Sequence, residues 1–161
     1  MGLREQVKAV IGVAPPPEAG SAAPELGIPD ATGKVWTVAS LRGHPAVVYF
    51  YPRDDTPGCT RESCDFRDHY ASLQSAGATL LGVSTDDAAS HRAFIEKFTL
   101  PFPLLIDTDG AARRRWGARG LRGTRRVTFL LDSAGTIARV WDPVQVDGHV
   151  ADVLAALAAL R

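Results

Sequence analysis

Only two of the 161 residues are cysteine and one is methionine, which is too little sulfur for a disulfide-stapled scaffold. No apolar run approaches the roughly 18 residues that a membrane span requires. The opening stretch MGLREQVKAVIGV has neither a signal peptide's long apolar segment nor its small-residue cleavage site, so cytoplasmic residence and no membrane partner are expected. An excess of either charge is also missing. Eighteen basic residues face eighteen acidic ones, and no overall field draws the chain to nucleic acid. No internal repeat is visible. With 45% hydrophobic and 22% charged residues, what remains is an ordinary globular chain of a size for one core.

Residues 1–13 can form a short helix with Leu3, Val7, Val10 and Ile11 on one side, and APPPEAGSAAP reads as a linker. Residues 1–23 are therefore expected to be an appendage and residues 24–161 the domain. Within that domain IPDATGKVWTV suggests a small hairpin, and AVVYFY a buried strand. A helix is expected from Cys59 to Ala76, ended near Gly77. The strand TLLGVST and a helix over AASHRAFIEKF follow. Next come a short strand at PLLID, a helix over GAARRRWG, the strands VTFLLD and TIARVWD joined at 133–135, and a terminal helix over HVADVLAALAAL. Apolar strands alternating with amphipathic helices predict an α/β, thioredoxin-like fold, a mixed sheet with helices on both faces. In such sheets ligands bind at the carboxyl ends of parallel strands, where YPRDDTPGC leaves a strand to open a helix.

In that segment Thr56 is a good N-cap, and Pro57 suits the first helical position because its missing N–H would be unpaired anyway. Gly58 allows close approach of another group. Cys59 then falls in the first helical turn, where unpaired amides and the dipole favour an anion over a neutral thiol. A thiolate is the form that attacks peroxides. A lone cysteine is more often a small buried hydrophobe, but the Thr-Pro-Gly start reverses that reading.

Cys64 follows five positions later. On one regular helix the two Cα atoms would lie about 8–9 Å apart and point about 140° away from each other. A disulfide needs roughly 4.4–6.8 Å, so the pair can join only if the first turns unwind. Sulfenic acid at Cys59 attacked by Cys64 is the natural pairing. Zinc is the chief rival, yet only residues such as His69 are available to complete a site, and successive five-residue steps do not share a helical face. The Cys-x-x-Cys of a dithiol oxidoreductase is absent.

PRDDTPGCTRESCDFRD resembles the active-site segment of the peroxiredoxins, in the peroxiredoxin Q or bacterioferritin-comigratory-protein branch. Pro52, Thr56 and Cys59 match that family's Pro-x-x-x-Thr/Ser-x-x-Cys motif. The likeness runs on through GVSTDDAASHRAFIEKFTLPFPLLID and RRVTFLLDSAGTI to VDGHVADVLAAL, covering most of the chain from about Pro24. It implies that Cys59 is the peroxidatic cysteine and Cys64 the resolving one. Thr56 would orient peroxide and thiolate, and Pro52 would shield the pocket from water. The family's arginine, six positions before the aspartate closing a late strand, falls on Arg126 rather than Arg125, and Arg126 should face Cys59.

The resemblance further implies a hydroperoxide substrate, a thioredoxin-like dithiol as reductant, a monomer, and no metal, flavin or nucleotide cofactor. Donors fixed around the departing peroxide oxygen would lower the barrier. Glu62 is expected either to position Arg126 or to support the helix's first turns. The four histidines, His44, His69, His91 and His149, are expected in surface or capping roles, and the three tryptophans in packing. Seven arginines lie within residues 113–126, and six of them read as a solvated face or a local anion-attracting patch. The competing non-enzymatic reading is a redox-switched holdase, in which disulfide formation exposes apolar surface.

Overall fold

The computed structural model describes residues 13–160. Its centre is a five-stranded sheet in which β3 (Ala46–Phe50) pairs in parallel with β4 (Thr79–Ser84), and β4 in parallel with β5 (Leu104–Ile106). On its other side β3 pairs antiparallel with β8 (Val127–Leu131), which pairs antiparallel with β9 (Ile137–Trp141). The sheet is thus mixed, with β3 in the middle and buried along its whole length.

Alternation along the strands sorts the core into two layers. Ala46, Val48, Phe50, Val127, Phe129 and Leu131 face one side, covered by α1 (Val38–Leu41) and by α5 (Ala111–Arg115) with Trp116 just beyond it. Val47, Tyr49 and Leu130 face the other, covered by α2 (Pro57–Asp68), α3 (Tyr70–Ser75), α4 (Ala88–Phe98) and α6 (His149–Ala158). Helices cover both faces, as the α/β thioredoxin-like pattern requires. No helix among the described residues is long and apolar enough to cross a membrane.

The helix expected over 59–76 is two helices, divided at His69 (φ −109°, ψ 10°). The His69 ring Nδ1 lies 2.8 Å from the Asp65 carbonyl, competing for a helical acceptor. The turn lets Leu73 enter the core. Two short pairs frame the sheet. One is β1 (Ile28–Pro29) with β2 (Val35–Trp36), and the other is β6 (Arg119–Gly120) with β7 (Gly123–Thr124) inside the arginine-rich run.

The expected N-terminal helix falls, apart from Val13, outside the described residues. The stretch read as a linker lies on the body. Gly20 and Ala23 N–H groups donate to Ile137 and Gly135 carbonyls at 2.8 and 2.9 Å, and Ile137 donates back to Ser21. Gly117 (φ +66°) accommodates this approach, since a Cβ there would lie 2.3 Å from the Pro15 carbonyl oxygen.

Candidate active site

At the carboxyl end of β3 the chain turns through residues 51–56 and enters α2. Thr56 has the extended backbone of an N-cap and Pro57 stands at the first helical position. The Thr56 hydroxyl does not cap the helix, as its sequence position suggested. It donates instead to the Arg53 carbonyl at 2.9 Å, bracing the loop. Cys59 lies in the first turn with its side chain on the sheet-facing side of α2, 1% exposed and packed in the cluster with Tyr49 and Phe66.

The sheet register explains which arginine reaches it. Ala46 pairs with Leu131 and Phe50 with Val127, so continuing the ladder puts position 126 opposite 51, where the active loop begins. Even-numbered residues of β8 face the α2 side, and Arg126 shares that parity. Its Nη2 donates to Cys59 Sγ at 3.4 Å and its Nη1 to Glu62 Oε1 at 3.0 Å. Arg125 turns away to Asp142 at 2.7 Å and to the Gly117 carbonyl. Gly58 eases the approach, because a Cβ there would stand a tight 3.1 Å from Arg126 Nη2.

Glu62 is 1% exposed and its Oε2 has no hydrogen-bond partner among the described residues. Burial pushes its carboxyl up to about 7, while the charge and hydrogen bond of Arg126 pull downward. Burial alone would lower the Arg126 pKa, but Glu62 and Cys59 outweigh it and hold the guanidinium charged. The Glu62 carboxyl resonance is therefore expected to titrate near pH 7 in carbon-13 spectra. Removing the cation in Arg126→Ala should move that midpoint higher; an unchanged midpoint would show that the pair is not coupled.

Cys64 lies on the same unbroken helix, half-buried, and both cysteines are free thiols. Burial raises the Cys64 pKa, opposed by Arg67. Pro52 is exposed and Thr56 half-buried, and both line a pocket beside the loop. Arg126, Glu62 and Cys59 are thus directly bonded, whereas Thr56 and Pro52 approach from the loop without a hydrogen bond to Cys59 Sγ.

Sequence reasoning missed a second polar cluster. His91, expected at the surface or in a cap, is completely buried. Its Nδ1 meets Asp54 Oδ2 at 2.7 Å and its Nε2 the Leu105 carbonyl at 2.8 Å, so both ring nitrogens face acceptors, which favours the imidazolium over either neutral tautomer. Burial alone would lower its pKa, but Asp54, the Leu105 carbonyl and Asp86 together raise it. Tyr51 Oη donates to Asp54 Oδ1 at 2.6 Å, Ser90 Oγ to Asp54 Oδ2 at 2.9 Å, and the Asp54 N–H to Asp86 at 2.8 Å. The active loop is pinned from β4 and α4 together. Asp54, Asp86 and His91 stand close enough to hold a metal ion, but internal donors and acceptors already occupy the atoms that would bind it.

His149 is buried as well, against Thr128 Oγ1 at 2.9 Å. Burial pushes its pKa down to about 4, Arg126 and Arg139 adding to this and Asp152 opposing. No periodicity in the sequence distinguishes either buried histidine from the exposed His44 and His69.

Known proteins resemble this chain over most of its length. The AhpC/TSA family model matches residues 19–140. A Coxiella burnetii protein named peroxiredoxin bcp is 41% identical over 148 residues, covering 87% of this chain and 98% of its own. The Xanthomonas campestris bacterioferritin comigratory protein, solved in trapped intermediate and ligand complexes and described for alkyl peroxide reduction, aligns with a TM-score of 0.81 and 38% identity. That match covers 84% of this chain and 91% of the other. Mycobacterium tuberculosis BcpB aligns with a TM-score of 0.83 and 33% identity over 89% of this chain and 98% of its own. The chain belongs to the AhpC/TSA family, among relatives named for peroxiredoxins of the Q and bcp type.

Proposed function

We propose that the chain is a thiol-dependent peroxidase in which Cys59 is the peroxidatic and Cys64 the resolving cysteine. The observation that carries this reading is the Arg126 guanidinium donating to Cys59 Sγ while Glu62 holds its other end. In the reaction, Cys59 sulfur attacks one oxygen of ROOH, the O–O bond breaks, and the departing oxygen takes a proton to leave as ROH. Cys59 becomes a sulfenic acid, oxidised by two electrons as the peroxide is reduced by two. Arg126 and the amides of the helix start donate where negative charge develops on the leaving oxygen. Thr56 and Pro52 border the approach of the peroxide.

Cys64 sulfur then attacks the sulfenic sulfur, forming the S–S bond and releasing water. On a regular helix the two Cα atoms would stand about 8–9 Å apart, so α2 must unwind over its first turns before this bond closes. A thioredoxin-like dithiol reduces the disulfide by two successive exchanges and leaves as a disulfide itself. With both sulfurs on one helix a single chain completes the cycle, and we place it in the cytoplasm, where such dithiols are kept reduced.

Mass spectrometry of protein treated with one equivalent of peroxide tests the sequence of steps. The parent is expected to lose two hydrogens as the Cys59–Cys64 disulfide, and Cys64→Ser to gain one oxygen that a sulfenate-trapping diketone captures at Cys59. Unmodified cysteines, or an oxygen on Cys64, would sink the assignment.

A further inference from the structure

Three cations go unused by the proposed chemistry, Arg53 of the active loop and two from the arginine-rich run. A cavity of about 470 Å³ opens beside the active loop, bordered by Pro52 and Thr56 and lined by Arg53, Arg113 and Arg122. Among the described residues none of these three arginines forms an ion pair, whereas their neighbours Arg125 and Arg126 are paired to Asp142 and Glu62. Arg113 Nη1 rests on Thr124 Oγ1 at 3.0 Å, and its Nε is buried without a partner. The lining carboxylate, Asp86, has Oδ2 committed to Ser84 Oγ and the Asp54 N–H. In a chain of zero formal net charge this is a local surplus of positive charge facing a concavity.

Hydrogen peroxide needs neither the space nor the charge. A volume of several hundred cubic ångströms is that of a small-molecule site, and guanidinium groups match planar or tetrahedral oxyanions. We propose that this cavity binds the anionic remote end of an organic hydroperoxide, a carboxylate or a phosphate, while its –OOH group reaches Cys59 past Pro52 and Thr56. The inference rests on the peroxidase reading and names its substrate class. Binding energy from the remote anion would hold the reacting oxygen in place. The concave setting of the half-buried Arg113 favours a small molecule over the face of a protein reductant.

A matched substrate pair tests it. 4-Hydroperoxy-4-methylpentanoic acid and its methyl ester carry the same tertiary hydroperoxide and differ in charge at the far end. With dithiothreitol as reductant, kcat/KM for the acid is expected to exceed that for the ester by about tenfold at low ionic strength, and the ratio to shrink as salt screens the site. Arg113→Gln with Arg122→Gln should bring the acid-to-ester ratio near one, and Arg122→Lys should retain most of it. Inorganic phosphate and propionate, added as competitors of the acid, distinguish a phosphate-bearing from a carboxylate-bearing substrate by which inhibits more strongly.

Equal rates for acid and ester in the parent, or a ratio untouched by the double substitution, overturn the proposal. So does a double variant that raises KM for a thioredoxin-like protein while the ratio holds, which would make the arginines a docking face. Hydrogen peroxide serves as the control for the underlying reading. If it is consumed while the acid shows no advantage, only the anion site fails; if no peroxide is consumed, the peroxidase assignment fails with it.

Discussion

Arg126→Ala is expected to slow the reaction of peroxide with reduced protein by about 10²–10³-fold, and Cys59→Ser to abolish it. The first figure is that for removing one preorganised donor from a developing oxyanion, and Arg126 is the cationic donor bonded to Cys59 Sγ. Stopped-flow mixing with peroxide, before any reductant enters, isolates this step. Arg126→Lys is expected to fall between parent and alanine variant, because an ammonium keeps the charge but cannot span Glu62 and Cys59 with a planar fork. The alanine variant also leaves Glu62 buried without its cation, so that carboxyl should take up a proton rather than unfold the helix. A melting curve close to the parent's would separate this from misfolding. An alanine variant reacting within about threefold of the parent would remove Arg126 from the reaction and leave the helix start as the sole electrostatic aid.

The same residue shows how far the sequence carries. The strand VTFLLD could be read from its apolar run, and the central sheet followed from strands alternating with helices. The choice of Arg126 over Arg125 came from resemblance, but its physical cause is the pairing of β3 with β8 and the alternation of side chains along β8. That pairing joins residues some eighty positions apart, and no local pattern encodes it. The break at His69 and the hairpin at 119–124 were hidden for the opposite reason: each depends on one or two residues, too few for a period. Thr56 was legible as an N-cap by type and position, yet its hydroxyl found the Arg53 carbonyl, a competition that residue type cannot decide. The Asp54–His91 pair was invisible because a histidine reads alike whether exposed or buried, and only the fold brings α4 over the loop.

His91→Ala is expected to lower the stability of the protein by about 3–5 kcal/mol, the range for removing one partner of a buried ion pair. The Asp54 side chain is 3% exposed, so its carboxylate would lose the imidazolium with little water to replace it. Urea unfolding at pH 6 would register the loss as a lower midpoint with an unchanged slope. The pH dependence gives an independent check. The native His91 pKa is raised above its ordinary value, so its contribution is complete below about pH 6.5, where the unfolded chain is also protonated. It is lost as pH rises through the native value. The parent should therefore surrender on the alkaline side a component of stability that His91→Ala never had, and the two unfolding midpoints should converge as pH increases. Parallel curves from pH 6 to 9 would mean that the ring is held neutral, with one of its two close contacts lacking a proton. The pair also fixes where the active loop can open. Asp54 ties the loop to β4 and α4 just ahead of Thr56, so the unwinding that joins Cys59 to Cys64 must begin after the anchor, within α2 itself. Loosening the anchor would let the loop move with the helix, and the Cys59–Arg126 contact would be the first geometry to suffer.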